Sequence, residues 1–92
     1  KDGPDYGTDA IEIAAHCHTL LEAGIDARHL KTWRVSAERE AGLYEQLIQP
    51  LLRQRNPDAH RQALSDLGRL EYSGGQLRAA IVRASLRHHA GH

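Results

Sequence analysis

A chain of 92 residues with twelve basic and twelve acidic side chains carries no net charge, which excludes a domain drawn by a general field to nucleic acid or to an acidic membrane. Its length allows one domain, burying about 60–65% of the surface of the unfolded chain. There is no Phe and no Met, and aromatic bulk comes only from Trp33 and three Tyr, so a core must be built from Leu, Ile, Val and Ala. Such a core is thin, and a second chain would help to complete it.

The neutral total hides an asymmetry. Residues 1–46 carry five basic and nine acidic side chains, and residues 47–92 carry seven and three. The last helix could lie against an acidic first helix of its own chain or of a partner, or both sets could simply be solvated faces. One cysteine, Cys17, rules out an internal disulfide and fits a reduced cytosol best, so the expected location is cytoplasmic. No apolar run approaches the roughly 18–20 residues that span a bilayer, and no signal peptide opens the chain. A first residue Lys1 rather than Met reads as the start of an excised segment.

Residues 1–7 (K-D-G-P-D-Y-G) read as a linker-like lead-in, and residues 8–90 as one helical regulatory or dimerisation domain. Thr8 is the expected N-cap of a first helix, with Asp9 and Glu12 at the positive end of its dipole. Ala10, Ile13, Ala14, Cys17, Leu20 and Leu21 then form one apolar stripe. Gly24 should end this helix in a left-handed conformation, with Ile25 folding back as in a Schellman motif.

Asp26 caps the next helix almost at once, and Leu30 and Trp33 lie on it. Val35 and Ser36 mark an expected bend, with Ser36 restarting a helix that carries Leu43, Tyr44, Leu47, Ile48, Leu51 and Leu52. Pro50 should kink that helix. Asn56 and Pro57 form a stop and restart, as N-cap and first helical residue. In the last segment, Ser73, Gly74 and Gly75 either break a long helix or let another backbone approach closely. One long helix with a weak point is the reading taken. No alternating strand pattern and no internal repeat is visible, so the expected fold is all-α: a compact bundle of four to five helices with a long C-terminal helix.

Seven histidines are the unusual count. Glu12 with His16, His18 with Glu22, and His88 or His89 with His92 have the helical spacing of paired metal ligands. Neighbours on a helix point about 100° apart, so His16, Cys17 and His18 cannot converge on one ion. Cys17 sits on the apolar stripe, where a thiol is normally buried and inert. No metal site and no cofactor is therefore expected. Enzyme signatures are missing as well. The Ser73-Gly74-Gly75 run follows no strand and precedes no Lys, and no supported nucleophile arrangement is found. Glu38, Glu40 and Glu45 are best explained as a solvated helix face.

The first two helices have the outline of a helix-turn-helix, with Arg28, His29, Lys31 and Arg34 on the second. The acidic surroundings and the apolar Leu30 and Trp33 argue for a hairpin that packs rather than reads DNA. Trp33 either fills the core between helices or lines an apolar pocket or a dimer seam. The candidate ligand or dimer contacts are Trp33, Tyr44, Leu47, Leu51, Tyr72, Leu77 and Ile81, because apolar residues on these helices exceed what one thin core needs.

Three pieces carry a likeness to a known family: residues 24–30 (G-I-D-A-R-H-L), residues 33–40 (W-R-V-S-A-E-R-E) and residues 50–52 (P-L-L). With a weaker continuation through residues 77–86 (L-R-A-A-I-V-R-A-S-L), the chain resembles the C-terminal domain of an actinobacterial subgroup of MerR-type transcription regulators, the FtsR-like regulators associated with cell-division genes. The resemblance implies a regulatory and dimerising domain that forms a homodimer. It also implies a winged helix-turn-helix elsewhere in the full protein that makes the DNA contact. An unknown effector or RNA polymerase would be the further partners, and no membrane is involved. A small-molecule sensor with a pocket near Trp33, or a protein-docking module in a transcription complex, is the alternative.

Overall fold

The computed structural model describes residues 6–90. A single 3-10 turn (Gly7–Asp9) leads into three α-helices: α1 (Ala10–Glu22), α2 (Ala27–Leu52) and α3 (Pro57–Ala90). The chain is all-α, with no strand among the described residues. Three helices stand where four to five were expected. Two places account for the difference. Val35 and Ser36 do not bend α2 into two helices, because their propensity cost of a few tenths of a kcal/mol is smaller than that of opening backbone hydrogen bonds. Ser73, Gly74 and Gly75 lie within an unbroken α3.

The helix ends follow from local chemistry. Gly24 adopts φ +108°, its N–H donates to the Leu21 carbonyl at 3.0 Å, and the Ile25 N–H donates to the Leu20 carbonyl at 3.0 Å. That pair of bonds is a Schellman motif. The Arg28 N–H donates to Asp26 Oδ1 at 2.9 Å, and the Ala59 N–H to Asn56 Oδ1 at 2.7 Å, so both expected caps form. Pro57 opens α3, and Arg87, His88 and His89 close it at the negative end of its dipole. Pro50 lies inside α2 only two residues before its end, where a missing N–H costs little further helix.

The start of α1 differs from expectation. Thr8 belongs to the 3-10 turn and does not cap α1; Asp9 holds the cap position without a side-chain cap bond. Just before that turn, the Tyr6 hydroxyl donates to Glu38 Oε2 at 2.6 Å. Of the linker-like residues 1–7, the first five lie outside the described residues, as does His92.

The chain divides into two compact units, Lys1–Glu38 and Arg39–His92. In the first, Cys17, Leu20, Ile25, Leu30 and Val35 are half-buried and none of the described residues is fully buried. The second is a hairpin of the later part of α2 and α3, joined by residues 53–56. Its buried side chains are Ile48 on α2 and Ala59 and Ala63, one turn apart on α3. The joining loop is held by His60, whose Nε2 donates to the Gln54 carbonyl at 2.8 Å.

Candidate interaction surface

Above that small core, the second unit has a polar clasp. Glu40 and Tyr44 are one helical turn apart on α2, and the Tyr44 hydroxyl donates to Glu40 Oε2. Arg78, from α3, donates to Glu40 Oε1. Both partners hold the Glu40 carboxyl below its usual value of 4.5, the Arg78 bond more than the Tyr44 bond. The same hydrogen bond raises the Tyr44 phenol. A Cβ built on Gly74 would overlap the Tyr44 hydroxyl and come within 2.6 Å of Glu40 Oε2. Gly74 is therefore the floor on which the clasp rests, and the close approach expected near Ser73 is made by a side chain rather than by a backbone.

The other helical glycines have no such reason within the chain. A Cβ at Gly42 or Gly68 would meet nothing within 4 Å, and one at Gly75 would meet only the end of Arg78 at 3.9 Å. Each costs its helix about 1 kcal/mol relative to Ala.

Of the candidate contact residues, Tyr44 and Leu51 are half-buried in the second unit, and Tyr44 is the one drawn into the clasp. Leu47 is 65% exposed on α2, and Tyr72, Leu77 and Ile81 are 68%, 61% and 56% exposed on α3. Trp33, in the first unit, is 51% exposed, so it does not fill a sealed core. Leu64, Val82 and Leu86 also expose more than half of their surface. A hairpin whose one large buried side chain is Ile48 leaves most of its large apolar residues in water.

The carboxylates weighed from the sequence separate. Glu38 accepts from Tyr6, and Glu40 accepts from Tyr44 and Arg78. Glu40, expected on a solvated helix face, is instead paired with Arg78, a contact the sequence does not reveal because 38 residues separate the two; a glycine inside a helix one turn before an Arg is its one local signal. The histidines stay in pairs: His16 lies 3.8 Å from Glu12, and His18 lies 3.8 Å from Glu22. No group of three metal-binding side chains gathers among the described residues. Arg28 is committed to Asp26 at 3.6 Å, and the helix that carries it runs on to Leu52, far longer than a recognition helix needs. No helix among the described residues is long and apolar enough to cross a membrane.

The described residues form an all-α chain with a capped helical hairpin and exposed apolar faces, and a comparison with protein families fits that picture. A family model described as Rv1828-like, C-terminal domain, matches residues 1–90. The chain belongs to that family. No curated protein and no solved structure is similar enough to count as a match. The match covers the lead-in and all three helices of this Rv1828-like domain, and so takes in the first unit and all but the last two residues of the second.

Proposed function

We propose that this domain is the non-catalytic, self-associating regulatory part of a MerR-type transcription regulator of the FtsR-like subgroup, acting in the cytoplasm. Its family description, a C-terminal domain, supports a place after a separate DNA reader, and a pair of such domains would set the distance between two readers on DNA. The observation that carries the reading is the surplus of apolar surface in the second unit. Leu47, Leu77 and Ile81 are more than half exposed, while Ile48 is its one large buried side chain. Fully burying a Leu or Ile contributes about 1.5–3 kcal/mol, so pairing these faces with a second copy would add more than the core of one chain supplies.

Light scattering coupled to size exclusion, over a range of loading concentrations, tests this. A mass near twice 10.2 kDa that dissociates only on strong dilution supports self-association. A monomer at every concentration overturns it and leaves a heterologous partner or effector as the domain's role.

A further inference from the structure

In the second unit, α2 turns one side to α3 and leaves the other bare. Glu40 and Tyr44 lie on the side that reaches the clasp, and Ile48 is buried below them. At 100° per residue, Arg39, Gly42, Gln46, Gln49 and Arg53 fall on the opposite side, at intervals of three, four, three and four residues. Arg53 stands just past the end of α2, but its N–H donates to the Gln49 carbonyl at 3.0 Å, so it keeps the helical turn. The four long side chains are exposed, and none of them makes an ion pair or hydrogen bond among the described residues. Arg55, in the joining loop, is exposed and unpaired in the same way. No acidic and no apolar side chain lies on this line; Glu45 and Pro50 border it.

We propose that this line is a contact surface for the sugar–phosphate backbone of a DNA duplex. Arg and Gln side chains are among the usual donors to phosphate oxygens, and the planar guanidinium can take a phosphate with two bonds at once. Arg39 and Arg53 stand about 21 Å apart along the axis, more than the roughly 12 Å width of a major groove, so they can hold phosphates on either side of one. Gly42 fits the same use. A Cβ there would meet nothing within 4 Å, so no packing within the chain requires the glycine, yet it lets another backbone come close to the helix. A protein partner is the poorer match, because the core of a protein interface is apolar and rich in aromatic side chains. Nucleic-acid interfaces are polar and positively charged, as this line is. The chain as a whole is neutral, so the surface adds a local contact to a duplex held nearby rather than drawing one from a distance. The inference rests on the reading of this domain as part of a DNA-binding regulator, not on its self-association.

Fluorescence anisotropy of a labelled, mixed-sequence DNA duplex, titrated with the 92-residue chain at several salt concentrations, tests the surface. With Arg39, Arg53 and Arg55 each on a phosphate, affinity should fall roughly fortyfold between about 50 and about 200 mM salt. Arg39→Gln and Arg53→Gln should each flatten the slope of log K against log salt by about one, with helicity and light-scattering mass unchanged. Arg83→Gln with Arg87→Gln, at the acid-free end of α3, should leave binding as it is. Binding that the α3 pair abolishes and the α2 variants spare overturns the proposal. Displacement of the duplex by poly-glutamate at equal charge also overturns it, and marks a site for acidic protein instead. A wild-type chain that self-associates but binds no duplex at about 50 mM salt overturns the surface and leaves the regulatory reading standing. A chain that binds the duplex as a monomer, and loses it in the α2 variants, supports the surface while overturning self-association.

Discussion

Replacing Gly74 by Ala separates two effects that act in opposite directions. In an open helix the change gains about 1 kcal/mol of propensity, and Gly42→Ala should show that gain because nothing lies within 4 Å of its Cβ position. At Gly74 the new methyl displaces the Tyr44 hydroxyl and the Glu40 carboxylate. Both are ends of side chains and can swing away, so the cost is the loss of their bonds rather than a backbone shift. The Tyr44–Glu40 bond contributes about 1 kcal/mol, and the ion pair with Arg78, 61% exposed on the arginine side, adds about 0.2–1 kcal/mol. The net effect of Gly74→Ala is therefore between neutral and about 1 kcal/mol destabilising. Thermal melts followed by circular dichroism, at equal protein concentration and pH 7, should place Gly42→Ala roughly 4–8 °C above wild type. Gly74→Ala should melt at or below wild type. If Gly74→Ala stabilises as much as Gly42→Ala, the clasp does not rest on Gly74 and the reasoning fails.

Other outcomes follow from the same geometry. Glu40 is held below its usual 4.5 in the folded state, so its contribution is present above that pH and is lost as pH falls through the depressed value. Glu40→Gln should accordingly flatten the acid limb of a melting-temperature profile below about pH 4.5. Tyr44 is raised above its usual 10.0, so stability should fall as pH rises past 10, and Tyr44→Phe should reduce that alkaline loss. Asn56→Ala removes the acceptor of the Ala59 N–H and should cost about 1 kcal/mol in denaturant unfolding. Leu47→Ser, at a position 65% exposed, should change the stability of an isolated chain by less than about 0.5 kcal/mol. Analytical ultracentrifugation would then show whether it weakens self-association.

What was legible in the sequence is what depends on a few neighbouring residues. The turn at Gly24 and Ile25, the caps Asp26 and Asn56, and Pro57 as the first residue of α3 each rest on a backbone group and a side chain within three or four positions. The all-helical class followed from apolar spacing, and the family likeness from extended similarity. The number of helices was not legible. Val35-Ser36 and Ser73-Gly74-Gly75 are weak helix formers, and local preference alone cannot weigh a lost tenth or unit of propensity against a continuous ladder of backbone bonds. Only the folded hairpin brings Glu40 to Arg78 and puts Tyr44 over Gly74, because the residues concerned lie 30 or more positions apart and meet through packing. Within the first unit, Thr8 joins a 3-10 turn and Trp33 stays half in water, because cap preference and apolar spacing act over one or two turns and do not decide how much of a large side chain tertiary packing covers.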